Sequence, residues 1–311
     1  MSPVRRGMKR DAPAIAQRVA RQLTRDAARE PLVSDEFSRH DFETALATTH
    51  HALWVDDTSG RIRGHLYGAT FDDLLRGRQT WSGPDGYSFD FDHVLDALCE
   101  RAYPQWRSEG SSAHLVWALA GHGTRVWTDR GYRIVSVRGG IALDEAYDVH
   151  WPEGFSLRRA GPSDLAAAVR FDEQIDLAQG VDVASLRPAQ REATRADLRE
   201  LLDDPDCHCY FVELDSQPVA QCVTFSLAPL RGNFDATVYV SALAVRPDQQ
   251  RRSIATRLLR TIFNDATASG AHYAEVRWHI DNEPATSLWS AIGFRPTYVQ
   301  LRRSLGDLAE R

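Results

Sequence analysis

The chain has almost no lysine. Lys9 stands alone among 37 basic residues, so arginine carries nearly all the positive charge, and 43 acidic residues bring the formal net charge to −6. That balance argues against an extended basic surface, and no nucleic-acid partner is expected. Cysteine is scarce too. The four, Cys99, Cys207, Cys209 and Cys222, show no paired metal spacing. Cys207-His208-Cys209 could chelate a metal in principle, but alternate residues entering a strand are more often plain surface or core, and no metal is expected. Nowhere is there an apolar run long enough to cross a bilayer, and the opening MSPVRRGMKRD is charged without an apolar core. A reduced, cytoplasmic protein without membrane contact is the expectation, as a monomer or homodimer.

What is present suits two domains of ordinary size, since 311 residues can bury two separate cores. The most informative stretch runs from Ala236 to Phe294. Val238, Tyr239, Val240, Leu243, Ala244 and Val245 form a mostly apolar, β-branched run, as in a strand covered on both faces. Pro247 and Asp248 end it. Ile254, Leu258, Leu259, Ile262 and Phe263 then recur at helical spacing, so a helix begins close to Arg251–Ser253. The first N–H groups of that helix have no partner within it, and Gln250, Arg251 and Arg252 add donors and charge at its mouth. Those features make an anion site, although a solvated basic turn would read the same way. A second strand, Tyr273 to His279, and a short helix ending at Gly293-Phe294 follow.

Together these segments resemble the GCN5-related N-acetyltransferase (GNAT) superfamily. Its pyrophosphate loop reads Gln/Arg-x-x-Gly-x-Gly/Ala, and here the loop is Gln250-Arg251-Arg252-Ser253-Ile254-Ala255, followed by Thr256. Its second motif reads Asn-x-x-Ala-x-x-x-Tyr-x-x-x-Gly-Phe, matched from Asn282 to Phe294 with Trp289 in the tyrosine position. Two motifs in the right order are far more specific than one loop.

The first half repeats the pattern in outline. Val4-Arg5-Arg6-Gly7 before Asp11 parallels Leu157-Arg158-Arg159-Ala160 before Asp164, each leading into an apolar helix. Each half then shows two strand-like runs flanking a turn, Asp57–Gly60 and Asp215–Pro218, as hairpins do. The resemblance therefore implies an α/β (α+β) protein of two tandem GNAT-like domains, each a mixed, mainly antiparallel sheet flanked by helices. Residues 1–150 would form a degenerate domain without acyl-CoA, since no pyrophosphate loop lies between Phe71 and Asp92, and residues 151–311 the acyl-CoA-binding one. Charged, partly helical inserts run from Ser34 to His50 and from Ala184 to Asp203.

By resemblance the backbone of Leu243, Ala244 and Val245 would hold the pantetheine of acetyl-CoA or another acyl-CoA, with Asn282 and Trp289 close by. The implied activity is acyl-CoA-dependent N-acyltransfer to a primary amine of a small molecule or peptide by direct attack. The alternative is a non-catalytic acyl-CoA-binding or scaffold protein. Three departures from the family pattern matter. Ser253 replaces a loop glycine, and Trp289 replaces the tyrosine that would protonate the thiolate. Arg277 stands where one branch of the family has a glutamate base. Glu275 and His279, which alternate with Arg277 on one strand face, are the remaining catalytic candidates.

Overall fold

The computed structural model describes residues 3–49, 53–73, 76–226 and 236–306, so His50, the last residue of the first insert, lies outside the described residues. They fold as two compact units. The first runs to Val137 and takes in the chain again from Pro296; the second holds the described residues between Arg138 and Arg295. The chain therefore changes unit inside two strands rather than in a linker.

The first unit opens with β1 (Val4–Arg6) and α1 (Ala12–Arg29), followed by α2 (Arg39–Thr49). Pro13 fits the first turn of α1, where its missing N–H costs nothing. Ile15, Val19 and Leu23 recur every four residues, are buried, and pack with Phe42 and Leu46 of α2. The sheet runs β1, β2 (Leu53–Thr58), β3 (Arg61–Tyr67) and β6 (Tyr87–Phe89), all antiparallel. Between β3 and β6 lies a hairpin, β4 (Ala69–Asp73) and β5 (Gly77–Ser82). Next come α3 (Asp92–Ser108), β7 (Ala113–Leu119), parallel to β5, and α4 (Thr124–Thr128). The chain leaves this unit within β8 (Arg133–Ala142).

The second unit repeats the plan. β9 (Phe155–Arg159) and α5 (Leu165–Ala178) precede α6 (Pro188–Asp203), then β10 (Cys207–Leu214), β11 (Gln217–Ser226) and β12 (Thr237–Val245). These four strands are antiparallel in the order β9, β10, β11, β12. After α7 (Ile254–Ala268), β13 (Tyr273–His279) lies parallel to β12, and α8 (Glu283–Ile292) ends at Gly293. Cys207 and Cys209 are buried on β10 and pack with Phe171 and Phe211 in the core. β14 (Arg295–Ser304) then returns to the first unit and pairs antiparallel with β7, from Tyr298↔Leu119 to Ser304↔Ala113.

The duplication is legible atom by atom. In the first unit Arg5 grips Asp11 through both terminal nitrogens, at 2.8 and 2.9 Å, and reaches Asp57 at 2.7 Å. In the second, Arg158 grips Asp164 at 2.8 Å twice and reaches Glu213 at 2.8 Å. Each aspartate also accepts a backbone N–H three residues back, from Met8 or Gly161. In each copy the clamp thus ties the first strand, the first helix and the hairpin together with charge-assisted bonds. Both hairpins turn through two left-handed residues, Ser59-Gly60 and Asp215-Ser216, the geometry that matches strand twist. Each also carries one extra residue in its return strand, Arg63 or Val219.

Candidate functional site

The site forms where β12 stops being paired on both sides. Pairing with β13 runs from Thr237↔Tyr273 to Val240↔Val276 and ends there. On the other edge β11 follows β12 to Val245, but Thr224 faces Val240 while Val223 faces Ala242, so Ser241 is an extra residue. An extra residue bends its strand and increases local twist. Beyond that bend Leu243, Ala244 and Val245 have one backbone edge without a strand partner among the described residues.

A single turn around Pro247–Gln249 then leads to the loop. Arg251 and Ser253 both take the left-handed conformation, at φ 62 and φ 60. Ser253 precedes α7, yet its hydroxyl makes no capping bond, so the N–H groups of the first helical turn stay available. In the left-handed region a Cβ crowds the following carbonyl at a cost of about 1–2 kcal/mol, which is why glycine suits this loop position. Ser253→Gly is expected to raise stability by about 0.5–1 kcal/mol once the greater freedom of unfolded glycine is deducted. Thermal denaturation with and without CoA measures it, and a lower Tm in either condition would contradict the backbone argument.

A cavity of about 610 Å³ collects these pieces. The free edge of β12 contributes Leu243, Ala244 and Val245, the loop contributes Gln250, Arg251 and Ser253, and the start of α7 contributes Ile254, Ala255 and Thr256. α8 closes it with Asn282 and Trp289. Asn282 caps that helix: its Oδ1 accepts the Ala285 N–H at 3.1 Å. Trp289 is buried and meets Phe294 edge-on at 5.3 Å, with Gly293 at φ 111 making the stop between them. Arg252 is not brought to the cavity. Its guanidinium donates to Gln249 Oε1 at 2.5 Å instead.

Sequence reasoning missed one wall. α5 supplies Gln174, Ile175 and Ala178, and Gln174 Nε2 donates to Val245 O at 2.7 Å, beside Gln250 Nε2 at 3.1 Å. The helix's own periodicity carried that signal, since these three share one face. The other face of α5 brings Asp172, Glu173 and Asp176 to a separate hollow of about 370 Å³. There burial, then the charges of Asp176 and Glu173, push the Asp172 carboxyl up to about 6.

On the turn that follows β12, Arg246 holds Asp248 by two bonds, at 2.6 and 2.7 Å, and keeps its carboxyl well below the usual range. That carboxylate is therefore matched, and Arg251 makes no ion pair among the described residues. One uncommitted cation and one uncapped helix start face the same space.

The two catalytic candidates fall elsewhere. Glu275 is buried and held by Arg138 through Nη2 at 2.6 Å and Nε at 3.1 Å. His279 is half-buried on β13, three residues past the last pair with β12. Neither lines the cavity. Among the described residues no three His, Cys, Asp or Glu side chains gather as a metal site, and no helix is long and apolar enough to cross a membrane.

Residues 178–294 match the acetyltransferase (GNAT) family model, a stretch that takes in most of the cavity. No curated protein is significantly similar in sequence. Among solved structures, a GCN5-related N-acetyltransferase from Sphaerobacter thermophilus is 18% identical with a TM-score of 0.68, over 97% of this chain and 95% of that one. A tandem GNAT protein from the clavulanic acid biosynthesis pathway is 15% identical with a TM-score of 0.57, over 94% and 95%. At these identities the likeness is one of fold, and it extends over both units.

Proposed function

From a chain whose residues 178–294 form a domain of the acetyltransferase (GNAT) family, within a tandem GNAT fold, we propose an acyl-CoA-dependent N-acyltransferase, with acetyl-CoA as donor. One observation carries this reading: the unpaired edge of Leu243–Val245 and the uncapped start of α7, with Arg251, line one cavity. The edge suits the amides of pantetheine, and the helix start suits a pyrophosphate.

In the proposed reaction the acceptor is a primary amine of a small molecule or peptide. Its nitrogen attacks the thioester carbonyl carbon, the C–N bond forms, the C–S bond breaks, and the ammonium proton passes to a base. We assign that base to His279, because β13 carries it past the point where the two strands part, whereas Arg138 already engages the Glu275 carboxylate.

Trp289 favours a second reading, a non-catalytic acyl-CoA-binding protein, because indole cannot protonate a thiolate. Release of free thiol from acetyl-CoA in the presence of an amine library separates the two. Turnover supports the enzyme, while binding without turnover across the library supports the scaffold. If the enzyme reading holds, the thiolate leaves unprotonated or takes its proton from water. The free thiol has a pKa of roughly 8.5, so this is a moderately poor leaving group that good positioning offsets. Trp289→Phe is then expected to keep most of the rate, with a pH profile that rises on a single basic limb. A falling limb that disappears in Trp289→Phe would give this position a part in proton transfer.

A further inference from the structure

The first unit carries a groove of its own, walled by α1, the hairpin of β2 and β3, and the end of β6. It measures about 730 Å³, and its walls are of a different kind: Arg18, Arg21 and Arg25 come from α1, and Arg61 and Arg63 from β3. Five guanidiniums face one carboxylate, that of Asp90, in a protein of net charge −6.

The carboxylate is already committed. Arg18 donates to Asp90 at 2.8 Å, to Ser88 Oγ at 2.9 Å, and to the carbonyls of Ile62 and Arg63 at 3.2 and 2.8 Å. Those bonds fix one guanidinium in the floor of the groove. Arg21 and Arg61 are exposed and make no ion pair among the described residues, so their charge is uncompensated. Concentrating like charge in a hollow with low-dielectric walls raises its potential, and doing so without a counter-ion is unfavourable in the empty protein. Phe91, 54% exposed, stands at the rim with Arg63 5.4 Å above its ring.

We propose that this groove is a binding site for a diphosphate group. Its chemistry departs from that of the second unit. Asp92 occupies the first turn of α3, so the helix start gives an anion little, and the ligand charge is met by arginine side chains instead. Guanidiniums bond phosphate oxygens in pairs and stay charged at any working pH. A diphosphate spans two or more of them, which a monovalent anion does not. The proposal is independent of the function assigned to the second unit.

Calorimetry on the full chain tests it, with inorganic pyrophosphate and ADP as probes and with Arg21→Glu, Arg61→Glu and Ala255→Glu as variants. In the Ala255→Glu chain, where the anion site at the start of α7 is blocked, pyrophosphate is expected to bind one site per chain, the groove. Affinity at that site should fall about tenfold or more when Arg21→Glu or Arg61→Glu is added. Both arginines are exposed and unpaired, so the fold is left intact; circular dichroism verifies that. ADP binding more tightly than pyrophosphate, with the advantage lost in Phe91→Ala, assigns the site to a nucleotide. Equal binding assigns it to a free oligophosphate, and either outcome supports the site. No binding to the native chain overturns it. So does loss in Ala255→Glu with retention in the arginine variants, because the anion would then be held in the second unit.

Discussion

Ala255→Glu is expected to weaken CoA binding by at least about a hundredfold. Ala255 is the second residue of α7 and lines the cavity beside Arg251 and Ser253. A carboxylate there meets the phosphates at close range. At about 4 Å and an effective dielectric near 20, two unit charges repel by about 4 kcal/mol. Even with half of that screened, the loss is about thirtyfold, and blocked access to the helix N–H groups carries it past a hundredfold. Folding and binding separate cleanly in this variant, because an acidic residue in the first turn of a helix is favourable in the absence of ligand. Calorimetry should show affinity gone while Tm stays level or rises slightly. Ala255→Gln, of equal size and uncharged, should lose much less. If both variants bind CoA like the native chain, the cofactor lies elsewhere and the site described above is wrong.

Arg138→Met is expected to cost about 3–5 kcal/mol of stability, on the order of 10 °C in Tm, because it leaves the Glu275 carboxylate buried with its two-point partner gone. The side chains are 2% and 6% exposed, so solvent cannot take over. Replacing both residues, as in Arg138→Met with Glu275→Leu, should recover most of the loss, since a packed apolar pair often does as well as a buried ion pair. The double variant also tests the assignment of the base. A folded double variant that still transfers acyl groups gives Glu275 a structural role, and one that binds CoA but is inactive makes Glu275 the base and removes His279 from the account.

Some of this was open to a reader of the sequence alone, and the reasons are local. β13 spans Tyr273–His279, as its apolar pattern suggests, and α7 begins one residue after the predicted window of Arg251–Ser253. The left-handed φ at Ser253 could be anticipated from the glycine preference of that loop position. Local periodicity and turn chemistry act within a few residues, so the sequence displays them. What stayed hidden depends on partners far along the chain. Glu275 looked like a candidate base because its spacing from Arg277 and His279 is visible, whereas Arg138, 137 residues earlier, is not. The extra residue at Ser241, which opens the cavity, only exists relative to β11. The arginine groove draws on α1 and β3, whose residues read separately as ordinary solvated charge. The clamps of Arg5 and Arg158 were half visible: the Asp11 and Asp164 spacing repeats in sequence, while Asp57 and Glu213 enter only through strand pairing.

The return of β14 to pair with β7 has a consequence for how the protein comes into being. During synthesis the earlier unit emerges first, yet one flank of β7 stays bare until the whole of the later unit has been made. Tyr298, which joins Trp117 and Leu119 in a buried cluster, arrives only with that strand. Pairings of such long sequence separation are slow to close, and an open edge is a template for another chain in the meantime. The order of translation and the order of completion are therefore reversed: the unit begun first is finished last, and the later one can be fully folded while its predecessor still waits for a strand.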